Sequence, residues 1–586
     1  MTINKKILRL IVVFLFEELK IIKIKIQYVI TFYKEVNVSK YIFFKIICRE
    51  KTDIFKNNNQ NKYISKIQKL SIKKNFKIVS KKKFYIESFI NHPVYTITNC
   101  YISRIVSDEL GRDCWGILRS GDIKGTKIMN SFGINKITYL NEGNFFTRLY
   151  YLVVAYNHLI KIKNIRSLIE LKIDKIQFGL AIYEQYIRFK KRTDIYEINL
   201  DFYYLLSRAL NYNSQFKNIF KNDKNTYLIQ SETQYFPFRI CLQNSLKYKN
   251  KIISRRGISN VSIRVYQKYS EKNENRNKIS KKIFNYIYKN LNLKNHHLIS
   301  NYFKKLIHKK IGKDIYQLNV NNNKKIKVFR SKNEIYNFFE WDKKKPIVLI
   351  LAHELSDGNT NNKWNLFQND MFWIMETIKN IKKIKDINWL IKAHPSENIY
   401  NSKINTKSIF KEYCYNQSNI KLFPENFESK NLNKFISAAL TSHGSAGYEY
   451  PGLGIPTIIC GDTPYSELGF TIEPKTKAQY FEFLKNIKTL KKLNSEKINK
   501  SKCFYYLLHN LTTAKIPIIK EDGNIRMNYS RNKFWSESLK LLKKYKLGEN
   551  EFSKSLKFQL KVNNGILFNI NKLKNFKKIY KDLKLN

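Results

Sequence analysis

The sequence predicts an α/β protein built from two doubly wound, Rossmann-like domains, and three observations point there. At 586 residues the chain is too long for one core, about two to four domains being expected at that length. Short apolar or β-rich runs alternate with longer helical stretches, the pattern of strands joined by crossover helices into parallel sheets. Three runs in the C-terminal half, PIVLILA (346–352), INWLIKA (387–393) and PTIIC (456–460), are apolar without alternation, as expected of strands buried on both faces.

Taken in order, residues 1–75 are rich in Lys, Ile and Asn and are read as a basic accessory region. Residues 76–335 form the expected N-terminal Rossmann-like domain. Its strands are Phe76–Val79, Val94–Ile97, Trp115–Leu118, Lys136–Tyr139, Tyr227–Ile229 and Lys251–Ile253, with helices over Phe146–Ile162 and Phe202–Leu210. Residues 268–330 are polar and read as helices and a connection. The C-terminal domain spans 340–515. Strands Pro346–Ala352, Ile387–Ala393, Asn419–Phe423, Ala439–Thr441 and Pro456–Cys460 alternate there with helices over Asn369–Ile381, Leu432–Ala438, Ala446–Tyr450 and Phe481–Leu493. Residues 516–586 are read as a basic helical tail.

The charge is extreme, Lys and Arg numbering 108 against 46 Asp and Glu, for a net +62. The excess is mostly lysine, spread along the chain and accompanied by Ile and Asn, as an AT-rich coding sequence produces. No arginine-rich arm or zinc knuckle concentrates it, so nucleic acid is not the expected partner. The charge does suit phosphates, acidic sugars and an anionic membrane surface. The seven cysteines are dispersed without a CxxC pair, which reads as reduced thiols rather than a disulfide framework or zinc site. The apolar run Leu8–Phe16 is shorter than the roughly 20 residues of a membrane span and lacks a signal-peptide cleavage site. The expected location is the cytoplasm, with peripheral contact at the inner face of the membrane.

Chemistry concentrates in the C-terminal domain. Of nine histidines, His353, His394 and His443 each fall just after a predicted strand, on the edge where open parallel sheets bind ligands. A zinc site made of the three lacks the usual ligand spacing, and no metal is expected. The segment TSHGSAGYEY (441–450) joins a strand to a helix through Ser442, Gly444, Ser445 and Gly447. Glycines there admit a ligand close to the backbone, and first-turn amides suit an anionic group. Glu449 is placed to accept from ribose hydroxyls. The loop GDTPYSELGF (461–470) brings Gly461 and Tyr465 to the same edge, with Tyr465 expected to stack on a base or sugar. Pro395 fixes the turn that holds His394. The loop AHELSDGNT (352–360) offers His353 and the carboxylate of Asp357 for acid–base work, with Glu232 as the rival base. Neither GxGxxG nor a P-loop is present, and no DxD triplet occurs. A leaving diphosphate would then be neutralised by amides and basic side chains.

The ordered set AHELSDGNT, NLFQNDMFWIMETI, NWLIKAHPSE and LTSHGSAGYEYPGLGIPTIICGDTPYSELGFTIEP resembles the bacterial capsule and surface-polysaccharide biosynthesis family, which includes Kdo-transferring capsule proteins. FGLAIYEQYIRF (178–189) and LIQSETQY (228–235) are a fainter upstream echo, with Glu184 where the family more often has Asp. The resemblance implies a GT-B-like fold of two Rossmann-like domains facing a cleft, the first for the acceptor and the second for the donor. It implies a metal-independent glycosyltransferase with no cofactor. A CMP- or UDP-sugar would be the donor, and a glycan or lipid-linked acceptor would receive the sugar. His394 and Pro395 match the family's His-Pro motif against donor phosphate, and Ser442 to Glu449 match its donor-binding turn. Two other classes stay open on sequence: a CDP-polyol phosphotransferase of teichoic-acid type, and a non-enzymatic basic adaptor for membrane or nucleic acid.

Overall fold

The computed structural model describes residues 58–72, 80–193, 195, 197–267, 278–311, 327–357, 366–400, 402–414, 416–429, 431–521, 531–545, 550–562 and 565–585, with positions 12, 15, 16 and 19 near the N-terminus. The expected strand Phe76–Val79, Gly358 and most of the 1–75 region lie outside them. The chain divides into two compact units. The first comprises 1–186, 195–270 and 513–570; the second comprises 187–194, 271–512 and 571–586.

The first unit carries a seven-stranded sheet. Its strands are β1 (Ser80–Glu87), β2 (Arg112–Arg119), β3 (Ile137–Leu140), β4 (Tyr227–Gln230), β5 (Lys251–Arg256) and β6 (Asn260–Tyr266), ordered β3-β2-β1-β4-β5-β6, with Ala514–Lys515 added beyond β6. The first five run parallel, and β6 returns antiparallel to β5. Alternation along β1 explains the two-sided packing. Phe84 and Ile86 enter the core beneath the helix Pro93–Leu110. Tyr85 faces the other way, edge-on to Phe220 of the helix Leu200–Lys221.

Three expectations change in this unit. Val94–Ile97 is helical, not a strand. Pro93 occupies the first turn, where its fixed φ suits a helix, and Val94, Ile97, Tyr101 and Ile105 are buried at helical spacing. The region before residue 76 is not wholly accessory, because Tyr63, Ile64 and Ile67 of the helix Asn58–Ile72 belong to the core. Residues 516–586 are not a separate tail. Phe534, Trp535, Phe552 and Leu556 fill that same core, and Tyr63 packs on Trp535 at 5.3 Å. The expected boundary near 335 also moves, since 271–335 belong to the second unit.

The second unit holds a five-stranded, wholly parallel sheet of β7 (Ile347–Leu351), β8 (Asn388–Lys392), β9 (Ile420–Leu422), β10 (Ala438–Thr441) and β11 (Thr457–Ile459), ordered β9-β8-β7-β10-β11. Both units therefore show Rossmann-like strand order, and in each the order reverses beside the first strand. Leu432–Ala438 is only a single 3-10 turn, Leu432–Lys434, before β10 begins. The helix expected over Phe481–Leu493 runs instead over Lys477–Lys485, capped by Thr476. Cys100, Cys114, Cys241, Cys414, Cys460 and Cys503 are free and buried. Among the described residues no helix is long and apolar enough to cross a membrane.

Candidate functional site

Three strands of the second unit end in register: Leu351 pairs with Lys392 on one side and with Thr441 on the other. Two residues beyond each stands a histidine, His353, His394 and His443. The chain crosses one way from β7 to β8 and the other way to β10, so this is the switch point where doubly wound sheets leave a crevice. A cavity of about 170 Å³ opens there, walled by Lys392, His394, Pro395, Gly444, Ser445 and Glu449 and floored in part by His353 and Thr441.

The imidazoles of His353 and His443 stack, ring centres 4.0 Å apart, and His394 lies near-parallel to His353 at 6.4 Å. The backbone N–H of His443 donates to His353 Nε2 at 3.2 Å, and Thr441 Oγ1 lies 3.1 Å from the same nitrogen. Burial above all, then the neighbouring His443, pushes the His353 pKa down to about 3, so this ring is neutral near pH 7. His443 Nε2 sits 2.9 Å from Asp370 Oδ2. Burial would raise the Asp370 carboxyl, but His443, His353 and the hydroxyl of Ser442 outweigh it and hold the pKa at about 2. Asp370 opens the helix Asp370–Ile381, capped by Asn369, where the dipole favours a carboxylate.

His394 is oriented from behind. Its Nδ1 accepts from the Ser396 amide at 3.2 Å and faces the Ser396 hydroxyl at 2.5 Å. In the neutral ring the hydrogen therefore resides on Nε2. Lys392, in the cavity wall, is only 9% exposed. Ser445 is the exposed cap residue of the helix Ala446–Gly452, and its side chain makes no capping bond. A Cβ at Gly444 would crowd the floor, lying 2.9 Å from Thr441 Oγ1 and 3.0 Å from His353 Cε1.

Other expected residues are placed differently. Tyr465 is 1% exposed, its hydroxyl donates to the Gly444 carbonyl at 2.6 Å, and its ring packs against Tyr448 and Phe504. It pins the turn and cannot stack on a ligand. Gly447 makes room for it, because a Cβ there would lie 2.0 Å from the Tyr465 hydroxyl. Ser442 is buried, and its carbonyl accepts from the amides of Cys460 and Gly461. Ser442, His443 and Gly461 thus support the site from outside the cavity lining. Asp357 is engaged by Arg188 at 3.1 Å and by the Tyr400 hydroxyl at 3.0 Å, away from that lining. Glu232 lies in the first unit, two residues past β4, where its carboxylate accepts from the amides of Thr233 and Gln234. Asp370, Ser396 and Thr441 were not anticipated. The only sequence signals were an Asn-Asp pair opening a helix and a serine two residues past His394.

His353, Asp370 and His443 present three ligand atoms within 4.8 Å of one another. His353 Nε2, His443 Nε2 and Asp370 Oδ2 each have a hydrogen-bond partner. The Asp370 contact and the His443 backbone N–H fix the orientation of the two rings.

No protein-family model and no curated protein matches the chain. Solved structures that match include the beta Kdo 2,4 transferase KpsC of Thermosulfurimonas dismutans, 13% identical over 50% of this chain and 81% of that one at TM-score 0.29. A glycosyltransferase from Rickettsia africae is 11% identical over 79% and 99%, at TM-score 0.25. A putative UDP-N-acetylglucosamine 2-epimerase from Listeria monocytogenes is 10% identical over 72% and 91%, at TM-score 0.23. At these TM-scores the chemistry of those proteins does not carry over to this chain.

Proposed function

We propose that the second unit binds the nucleotide of a CMP- or UDP-sugar, and that the chain transfers the sugar to a surface-polysaccharide or lipid-linked acceptor. The observation that carries this reading is the convergence of three registered strand ends on one polar cavity at the switch point. Doubly wound sheets bind their ligands in the crevice at such a switch point.

In this reading Lys392 and the Nε2–H of His394 face the phosphate and stabilise the charge that develops as the sugar leaves, without a metal. The Ser445 amide, at the start of the helix Ala446–Gly452, contributes a further donor, while the Gly444 amide already donates to Thr441 Oγ1 at 3.3 Å. Glu449 accepts from the ribose hydroxyls. The relay Asp370–His443–His353 holds the floor rigid. The acceptor is assigned to the first unit, with Glu232 as the base that takes the proton of the attacking hydroxyl. Its place two residues past β4, beside the switch point between β1 and β4, supports that choice.

Calorimetric titration with CMP, UDP and GDP, and with their sugars, tests the reading. One nucleotide should bind to the wild type. Lys392→Ala and His394→Ala should each weaken it by about ten- to a hundredfold, as loss of a charge-assisted bond does. Ser445→Trp should abolish it by filling the cavity. Binding unaffected by all three substitutions would remove this cavity from the reaction. Turnover of labelled CDP-glycerol in place of a nucleotide sugar would shift the assignment to phosphotransfer.

A further inference from the structure

A second surface, in the first unit, is built for a different partner. The helix Phe145–Leu159 is anchored by one face, where Leu152, Ala155 and Leu159 are buried and Leu152 packs against Leu200 and Tyr203. The opposite face carries Phe146 (77% exposed), Leu149, Tyr150 (63%), Val153 (54%) and, just past the helix end, Ile160 (52%). Positions 146, 150, 153 and 160 fall on one stripe at helical spacing, roughly 21 Å long at 1.5 Å per residue. Large apolar side chains exposed at this density in a folded unit mark an interaction surface.

The charge around the stripe selects the partner. From residue 143 to 169 the sequence contains Arg148, Lys161, Lys163 and Arg166 but no Asp or Glu. Lys161, Lys163 and Arg166 are exposed at the C-terminal end of the stripe. The two flanking carboxylates are already engaged: Glu142 accepts from Arg208 and Tyr212, and Glu170 pairs with Arg166 at 3.3 Å. Aromatic rings beside aliphatic side chains, with Lys161 and Lys163 exposed at one end and no acidic residue within 143–169, match the boundary between acyl chains and anionic headgroups.

We propose that the exposed face of the helix Phe145–Leu159 docks on an anionic phospholipid surface, with Phe146, Tyr150 and Val153 entering the acyl boundary and Lys161 and Lys163 meeting the headgroups. The proposal stands independently of the nucleotide reading. The test is co-sedimentation of the full chain with vesicles of phosphatidylcholine alone and of phosphatidylcholine mixed with phosphatidylglycerol. The wild type should bind the mixed vesicles, and binding should weaken as salt rises. The triple variant Phe146→Ser, Tyr150→Ser, Val153→Ser should bind at least about tenfold more weakly. The pair Lys161→Glu, Lys163→Glu should lose most of the preference for the mixed vesicles, with nucleotide binding unchanged in both variants. Should the triple variant not fold, Phe146→Trp serves, since its fluorescence should be quenched by brominated lipid. A wild type that ignores anionic vesicles overturns the proposal, as does a triple variant that binds like the wild type or an unquenched Trp at 146. A triple variant that changes only the oligomeric state assigns the face to a second copy of the chain and overturns it equally.

Discussion

His443 and Asp370, 73 residues apart in sequence, meet at 2.9 Å, and through this contact the helix opened by Asn369 orients the imidazole packed on His353. An ionised carboxylate only accepts, so His443 Nε2 carries a hydrogen. Asp370→Asn removes the charge that the histidines and Ser442 stabilise and leaves buried donors poorly matched. It should lower the urea midpoint by an amount worth about 1–3 kcal/mol with an unchanged slope. The folded Asp370 pKa, about 2, lies below its usual 3.8. Its contribution is therefore fully present above pH 3.8 and is lost as pH falls through 2, and Asp370→Asn should lose that limb of acid denaturation.

The Gly447–Tyr465 contact gives a prediction about rescue. Gly447→Ala places a Cβ 2.0 Å from the Tyr465 hydroxyl, and should cost about 1–3 kcal/mol by overpacking. Tyr465→Phe loses only the bond to the Gly444 carbonyl, worth about 1 kcal/mol. Removing the hydroxyl does not relieve the overlap, because Tyr465 Cζ and Cε2 would still lie 2.5 and 2.6 Å from that Cβ. The double variant should therefore be at least as unstable as Gly447→Ala alone. Full recovery in denaturant titrations would show that the hydroxyl alone is the obstacle and that the ring can shift away from a Cβ at 447.

The same pair shows where sequence reading stops. The strand-end histidines were legible because unbroken apolar runs fix where β7, β8 and β10 end, and polar residues two positions on must emerge at that edge. Whether Tyr465 points outward or inward depends on space vacated by Gly447, 18 positions away, which no local pattern encodes. Val94–Ile97 misled because its β-branched residues favour a strand locally, while Pro93 and burial at helical spacing favour the helix. The integration of residues 516–562 rests on the long-range pairing of Ala514 with Val261 and the packing of Trp535 on Tyr63. Basic composition conceals both. That Arg188 and Tyr400 reach Asp357 is likewise not visible in the sequence.

Two titratable groups should shape the pH profile of stability with opposite slopes. Burial, with the nearby Glu354, pushes Glu397 up to about 7 against the opposing bonds from Thr406. A carboxyl raised in the folded state favours folding when protonated. Its contribution is largest below pH 4.5 and is lost as pH rises to 7, at a cost on the order of 3 kcal/mol. Glu397→Gln retains an acceptor for Thr406 and should raise the melting temperature at pH 8 while changing little at pH 4.5. His353, held down at about 3 against its usual 6.5, does the reverse. The unfolded chain takes up the proton first, so stability falls as pH drops from 6.5 to 3. His353→Gln should flatten that limb. Melting curves for wild type and both variants between pH 4 and pH 8 decide each claim.

Asp357 and Glu232 separate by kinetics. The Arg188–Asp357 pair is about one-third exposed on both sides, so breaking it should cost under about 1 kcal/mol of stability. Asp357→Asn keeps an acceptor for Tyr400, and should change kcat/KM by less than about threefold if the residue takes no part in chemistry. Glu232→Gln removes the assigned base and should lower kcat by about 10²–10⁴-fold. KM for the nucleotide sugar should stay near the wild-type value, because Glu232 belongs to the first unit and the nucleotide to the second. In steady-state kinetics, a large kcat loss at Asp357 with near-wild-type turnover at Glu232 would reverse the assignment. Comparable modest losses at both would move the base to another residue, and the kcat-against-pH profile, missing its acidic limb only where the base has been removed, would identify it.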